Sequence, residues 1–455
     1  METNKTNKKI FIIIGIIVLI ALGICFAIAY KNKNSSVIGT NTSSSGESAS
    51  EISSDYDNID YGNTTSLSTT TITDGGSYDL TGSYSCITVN TSKDVELNLT
   101  NASITCENGP AINVVDAKSV SIVLNGENTI KATTSVDLDG AIYSKADLIL
   151  SGTGSLSITS NYDGIVSKDT LVIKSGTYTI NASDDGIRGK DNVAIVDGTF
   201  NITAGGDGIK ATNEEDSEMG YVAIDGGTFN ITSVTDGIQA ATDLVIKGGT
   251  FNIKTSGNTN TVSAKGLKAV NLIEINGGTF EINTTDDGVH ADGNVTINAG
   301  EFTISSPDDG VHADGMVLIT GGTFNITAAE GIEATYVKIN NGVINISASD
   351  DGINAGRKST SYSVIVEING GTITIKMGQG DTDGIDSNGN IYVNGGTINI
   401  TGNSPFDYDG EAKYTGGTII VNGETTNTIT NQMMGGGGQP GGQMGRGGMM
   451  NRRGY

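Results

Sequence analysis

The chain has 455 residues and a formal net charge of −25, with 65 glycines, four prolines and no tryptophan. That charge excludes nucleic acid or an anionic membrane surface as a partner, because both require a basic footprint. A chain rich in Gly, Asn, Thr, Ser and Ile describes many short strands and turns rather than helices.

In chain order, residues 1–30 come first. Ile10 to Tyr30 is nearly uncharged and, at about 21 residues, long enough to cross a bilayer as a helix. Lys5, Lys8 and Lys9 precede it and would stay inside. The expectation is a single-pass membrane anchor with the rest of the chain outside the cell. The Ala27-Ile28-Ala29 triplet would make the protein secreted if it were cleaved there. Residues 31–71 are rich in Ser, Thr, Asn and Gly and read as a flexible tether. Residues 429–455 form a Gly/Met-rich tail that reads as disordered.

Between these ends, residues 72–428 repeat. A D-G-hydrophobic motif recurs, with its glycine at Gly164, Gly186, Gly208, Gly237, Gly288, Gly310, Gly352 and Gly384. A G-G-T-F-N-I-T motif follows, and the basic period of 22 residues, with occasional insertions, marks a solenoid. Within one unit, Val289 and Ala291, Val295 and Ile297, and Phe302 and Ile304 alternate with polar neighbours. This is the period-2 pattern of three short strands. The predicted fold is all-β: a right-handed parallel β-helix of roughly 12–13 coils with an N-terminal transmembrane helix. Phe200, Phe229, Phe251, Phe280, Phe302 and Phe324 share one slot and predict an internal aromatic stack, continued by Ile344, Ile373, Ile398 and Ile419.

The octapeptide DDGVHADG occurs twice, at Asp286–Gly293 and Asp308–Gly315, and holds both histidines of the chain. Stacking would place the copies about 4.8 Å apart. Carboxylates that close raise one another's pKa unless a cation compensates them, and Ca2+ accepts six to eight oxygens. The candidate metal ligands are Asp184, Asp185, Asp286, Asp287, Asp292, Asp308, Asp309, Asp314, Asp350 and Asp351. The plain alternative is a set of turn aspartates bonded to local amides. Beside the motif, an outward column runs through Arg188, Lys210, Gln239, Lys268, His290 and His312. It reads either as a polysaccharide-binding ladder or as a solvated sheet face. Cys86 and Cys106 lie 20 residues apart, close to one coil, and outside the cell they are expected to form a disulfide.

The DDGVHADG and GGTFNIT units resemble the carbohydrate-binding domain-containing proteins of anaerobic Gram-positive bacteria, a family similar in fold to calcium-dependent pectate lyases. The resemblance spans about Ser77 to Asn422. It implies a right-handed β-helix, bound Ca2+ and affinity for plant-wall polysaccharides, including acidic ones. Ala264-Lys265-Gly266 and Ala329-Glu330-Gly331 depart from the motif by lacking the aspartate. The expected function is a monomeric, cell-surface, calcium-stabilised polysaccharide-binding protein with no nucleic-acid partner. The alternatives are a polysaccharide lyase, with Arg188 or Lys210 as the base, and a structural adhesin.

Overall fold

The computed structural model describes residues 47–257, 262–378 and 382–431. The strands form one continuous, almost entirely parallel sheet wound into coils, a parallel β-helix. A typical coil contributes Val289–Ala291 to face A, Asn294–Ile297 to face B and Glu301–Ser305 to face C. On face A, fifteen described strands stack from Thr71–Ile72 to Ser404–Tyr408, more than the 12–13 coils expected. An antiparallel hairpin, Thr418–Val421 with Glu424–Thr426, ends the stack.

Register keeps like residues together: Val289 pairs with Val311, His290 with His312 and Ala291 with Ala313. The predicted inward residues Val289, Ala291, Val295, Ile297, Phe302 and Ile304 are all at most 1% exposed. On face C, ring centroids from Phe200 to Phe324 are 4.7–4.8 Å apart, with planes within 4° of parallel. Tyr178 adds a further rung, 5.2 Å from Phe200. Ile344, Ile373, Ile398 and Ile419 continue the slot in register.

The glycines of the two motifs do different work. Gly278, the second glycine of a G-G-T-F turn, has φ +111°, and a Cβ there would sit 3.1 Å from the Phe280 ring. That conformation costs glycine least. Gly288, in a D-G pair, is not left-handed; a Cβ would fall 2.5 Å from Ile304 Cγ2 and 2.7 Å from the Gly310 carbonyl. The D-G motif is therefore a close approach between coil and core.

Two N-terminal expectations are corrected. No helix among the described residues is long and apolar enough to cross a membrane. The described fold is an all-β parallel solenoid with one short helix, α1 (Ala49–Ser54), and residues 10–30 lie outside the described residues. The second correction concerns the tether. From residue 47 onward this segment is docked: Ser48 and Glu51 form a capping box, and Ala49, Ile52 and Tyr56 pack on Ile149, Val172, Ala194, Tyr221 and Ala223. The physical reason lies in face B. Runs such as Leu148-Ile149-Leu150 and Leu171-Val172-Ile173 are apolar on both sides, so their outer side needs a cover. Thr64–Ser66 and Thr71–Ile72 then join the stack as strands. At the other end, Ile429 packs on the core and Asn431 donates to the Tyr408 carbonyl at 2.7 Å; residues 432–455 lie outside the described residues. Cys86 and Cys106 form a disulfide with Cα atoms 4.8 Å apart.

Phe251→Ala should destabilise the chain by about 3–5 kcal/mol through cavity formation. Asn252→Ala, one residue on and exposed, should change stability by no more than about 0.5 kcal/mol. Chemical denaturation of both variants checks this, and similar costs would contradict an internal stack.

Candidate functional site

The aspartates of the D-G corner form a ladder between coils. Asp163 Oδ1 accepts the backbone N–H of Asp185 at 2.9 Å, Asp185 that of Asp207 at 2.8 Å, and Asp207 that of Asp236 at 2.8 Å. Asp236 accepts from Lys265 at 2.8 Å, Asp287 from Asp309 at 3.1 Å, and Asp351 from Asp383 at 3.0 Å. These amides belong to the next coil, not to the local turn that the plain alternative supposed.

The second carboxylate oxygen takes a cation from the outward column, most often three residues on. Asp207 Oδ2 meets Lys210 Nζ at 2.6 Å, Asp287 meets His290 Nδ1 at 2.7 Å, and Asp309 meets His312 Nδ1 at 2.6 Å. Arg188 donates from Nε to Asp163 at 2.7 Å, also pairs with Asp139, and lies 3.7 Å from Asp185. Gln239 occupies the column without a charge, and Asp236 is paired by Lys268 of the next coil at 3.3 Å. The candidate metal ligands and the candidate sugar-binding column are therefore partners in one network.

At the two octapeptides the imidazoles stack, with centroids 4.6 Å apart. His290 Nε2 lies 3.0 Å from Asp292, and His312 Nε2 lies 3.3 Å from Asp314. His312 Nδ1 also meets Glu333 at 3.0 Å, and Glu333 meets Lys358 at 2.8 Å. Burial alone would lower the His312 pKa, but hydrogen bonds to Asp309 and Glu333 raise it to about 11. His290 is likewise raised by Asp287 and Asp292 against its burial. A carboxylate at each ring nitrogen favours the imidazolium form of both rings, and that form offers no lone pair to a metal.

Lys265 completes the patch. Its ammonium sits 2.6 Å from Asp286 and 3.1 Å from Asp287. Asp286, Asp287 and Asp308 can bring ligand oxygens within 4.8 Å of one another, but the ammonium already supplies their counter-charge. Asp163, Asp184 and Asp185 form a similar group beside Arg188. The donor sets at these coils do not fit a hard dication. By sequence, Lys265 stands where other copies of the motif carry aspartate. Its signal was positional: Lys265 stands one 22-residue period before Asp287, a cation inserted into an acidic column.

The C-terminal coils differ. Among the described residues, no Lys, Arg or His side chain pairs with Asp350, Asp351, Asp386 or Asp407. Burial and neighbouring carboxylates push Asp351 up to about 6 and Asp386 up to about 7. Among the described residues, however, no three of these carboxylates bring their oxygens together at one point, so this donor set does not form a cation site either. Arg188 and Lys210 are not poised as bases. Their pKa values are raised by Asp163 and Asp207 in spite of burial, so both stay protonated.

Face C is the other regular surface. Its outward residues over four successive coils are Ser155, Ser157 and Thr159; Thr177, Thr179 and Asn181; Thr199, Asn201 and Thr203; and Thr228, Asn230 and Thr232. None is charged, on a chain with 51 acidic residues. A shallow groove of about 300 Å³ lies across Thr179, Asn181, Asn201, Thr203, Asn230 and Thr232. The Asn230 amide donates to Asn201 at 3.1 Å, and the hydroxyls of Thr179, Thr203, Thr228 and Thr232 have no protein partner among the described residues.

Burial raises Asp185 and Asp309 to about 7 and Glu330 to about 8, in step with His312. These groups bind protons more tightly in the folded chain, so stability grows as pH falls from about 11 through 7 toward the unfolded carboxylate range near 4. Glu333, held to about 2 by His312 and Lys358 against its burial, acts with Asp287 and Asp292 in the opposite sense below about pH 4. The melting temperature should therefore rise from pH 9 to pH 5 and fall below pH 4. Calorimetry showing higher stability at pH 9 than at pH 5 would contradict the ladder.

A family model described as a carbohydrate-binding domain-containing protein matches residues 66–310 and 305–434. Among solved structures, a polysaccharide lyase-like protein from C. thermocellum, a gadolinium derivative, is similar at 28% identity with a TM-score of 0.41, over 48% of this chain and 91% of that chain. No curated protein matches. The chain belongs to the family of carbohydrate-binding domain-containing proteins.

Proposed function

We propose that this chain binds an extended polysaccharide along the outward surface of face C, outside the cytoplasm. The observation that carries the reading is the uncharged array from Ser155 to Thr232. The array is rigid, because its strands are held by the ring stack at 4.7–4.8 Å. Prearranged hydroxyls and amides lose little freedom on binding, and their repeat suits a ligand that offers hydroxyls at every sugar. The charged column of face A is a weaker candidate, since its cations neutralise buried carboxylates. The Cys86–Cys106 disulfide supports an oxidising compartment. Plant-wall glycans are the class that the resemblance implies. A lyase is disfavoured by the protonated state of Arg188 and Lys210.

Adsorption of the full chain to a panel of insoluble plant-wall polysaccharides tests the reading. Asn201→Arg with Asn230→Arg, both exposed, should weaken adsorption at least about tenfold. Lys268→Ala should leave adsorption intact. Loss with Lys268→Ala and retention in the arginine variant would return the site to the charged column.

The sequence expectation of Ca2+ is not carried into this proposal: the carboxylates that converge, at Asp163, Asp184 and Asp185 and at Asp286, Asp287 and Asp308, already hold Arg188 and Lys265, and Asp350, Asp351 and Asp386 do not converge. An ion that binds only the folded state at 100 times its Kd stabilises it by about 2.7 kcal/mol. EDTA should therefore leave the melting temperature of the wild type unchanged. A wild-type melt lowered by EDTA would return calcium to the fold.

A further inference from the structure

The corner between faces A and B is turned in two residues after Val289–Ala291, and strands Asp309–Ile319 and Glu330–Ile339 run straight through it. After Ile353–Ala355 the same corner holds residues 356–364. Such an insertion on a rigid scaffold is where a binding loop belongs.

This loop is pinned at its base. Lys358 and Ser359 donate their backbone N–H groups to Thr335 Oγ1 at 2.9 and 2.8 Å, and Lys358 Nζ reaches Glu333 at 2.8 Å. Glu333 in turn holds His312, so the loop is tied to the histidine network. Tyr362 rests against Gly315, where a Cβ would meet its ring at 3.0 Å, and against Tyr336, with ring centroids 6.4 Å apart. The last residue of the second octapeptide thus makes room for the loop's aromatic ring.

Between the loop and the next coil lies a cleft of about 460 Å³, lined by Arg357, Ser361, Tyr362, Asn388, Gly389 and Asn390 among others. Its volume falls in the range of small-ligand sites, roughly 300–1,000 Å³. Two arginines lie among the described residues. Arg188 is enclosed by carboxylates, whereas Arg357 is exposed and makes no ion pair among the described residues. On a chain of net charge −25, a guanidinium without an acidic partner is conspicuous. Its planar fork matches a carboxylate or sulfate ester with two parallel hydrogen bonds. Tyr362 offers a ring face for the apolar side of a sugar, and Asn388 offers an amide for its hydroxyls.

We propose that this cleft is a second sugar site, selective for an anionic sugar unit, which Arg357 pairs and Tyr362 stacks. The proposal rests on carbohydrate recognition by the chain but not on face C. The test is calorimetric titration of the full chain with a galacturonate tetrasaccharide, its methyl ester and a sulfated galactan tetrasaccharide. The acid should bind at least about tenfold more tightly than the ester, and Arg357→Ala should bring the acid down to the ester's level. Tyr362→Ala should weaken both acid and ester, while Tyr362→Phe, which keeps the ring packed on Gly315, should bind as the wild type does. Preference for the sulfated probe, lost in Arg357→Ala, would identify the anion as a sulfate ester within the same site. Equal affinity for acid and ester, no effect of Arg357→Ala, or no binding of either anionic probe would overturn the proposal. Each of those results would leave adsorption through face C standing; loss of adsorption in the Asn201→Arg/Asn230→Arg variant with retained tetrasaccharide binding would separate the two sites.

Discussion

Parallel stacking of coils in strict register places each residue beside its equivalent one rung away. The consequence is harmless for phenylalanine, valine and isoleucine, which gain by meeting their own kind in a dry interior. For aspartate it is costly, since a like charge recurs at every rung and the strand hydrogen bonds forbid the chain from moving it. The surface chemistry of this molecule is a set of answers to that constraint.

The main answer divides each carboxylate between two partners. One oxygen accepts the amide of the next coil, which ties the corners together along the axis. The other meets a cation from the outward column. The cation changes from coil to coil, from Arg188 through Lys210, Lys268 and Lys265 to the stacked imidazolium ions of His290 and His312. The supply along the corner ends near Glu333 and Lys358, and Asp351 and Asp386 beyond are crowded by neighbouring carboxylates. Face C solves the problem differently by carrying no charge over four successive coils, and that leaves its hydroxyls and amides open to a ligand.

The N-terminal segment shows how the outer surface answers the core. Face B is apolar on both sides at Ile149, Val172 and Ala194, and α1 covers it. The segment looked like a tether because its apolar residues are few. Ala49, Ile52 and Tyr56 nevertheless fall at helical spacing, and the unalternated strands were a sign that something had to lie over them.

By itself the sequence determined the solenoid, the inward positions of the repeat unit such as Val289, Ala291, Val295, Ile297, Phe302 and Ile304, and the phenylalanine slot, because these follow from a period of two within a period of 22 and need no knowledge of side-chain partners. It also placed the aspartates and the outward column correctly along the axis. What only the tertiary structure decided was who compensates whom. A period fixes which rung a residue occupies, but not whether Lys265 reaches Asp286, whether Arg188 turns inward to Asp163, or whether Arg357 is left without an acid. Those outcomes depend on side-chain reach across a corner, on burial, and on loops inserted outside the repeat. There the register no longer dictates a neighbour, and electrostatics and packing select one.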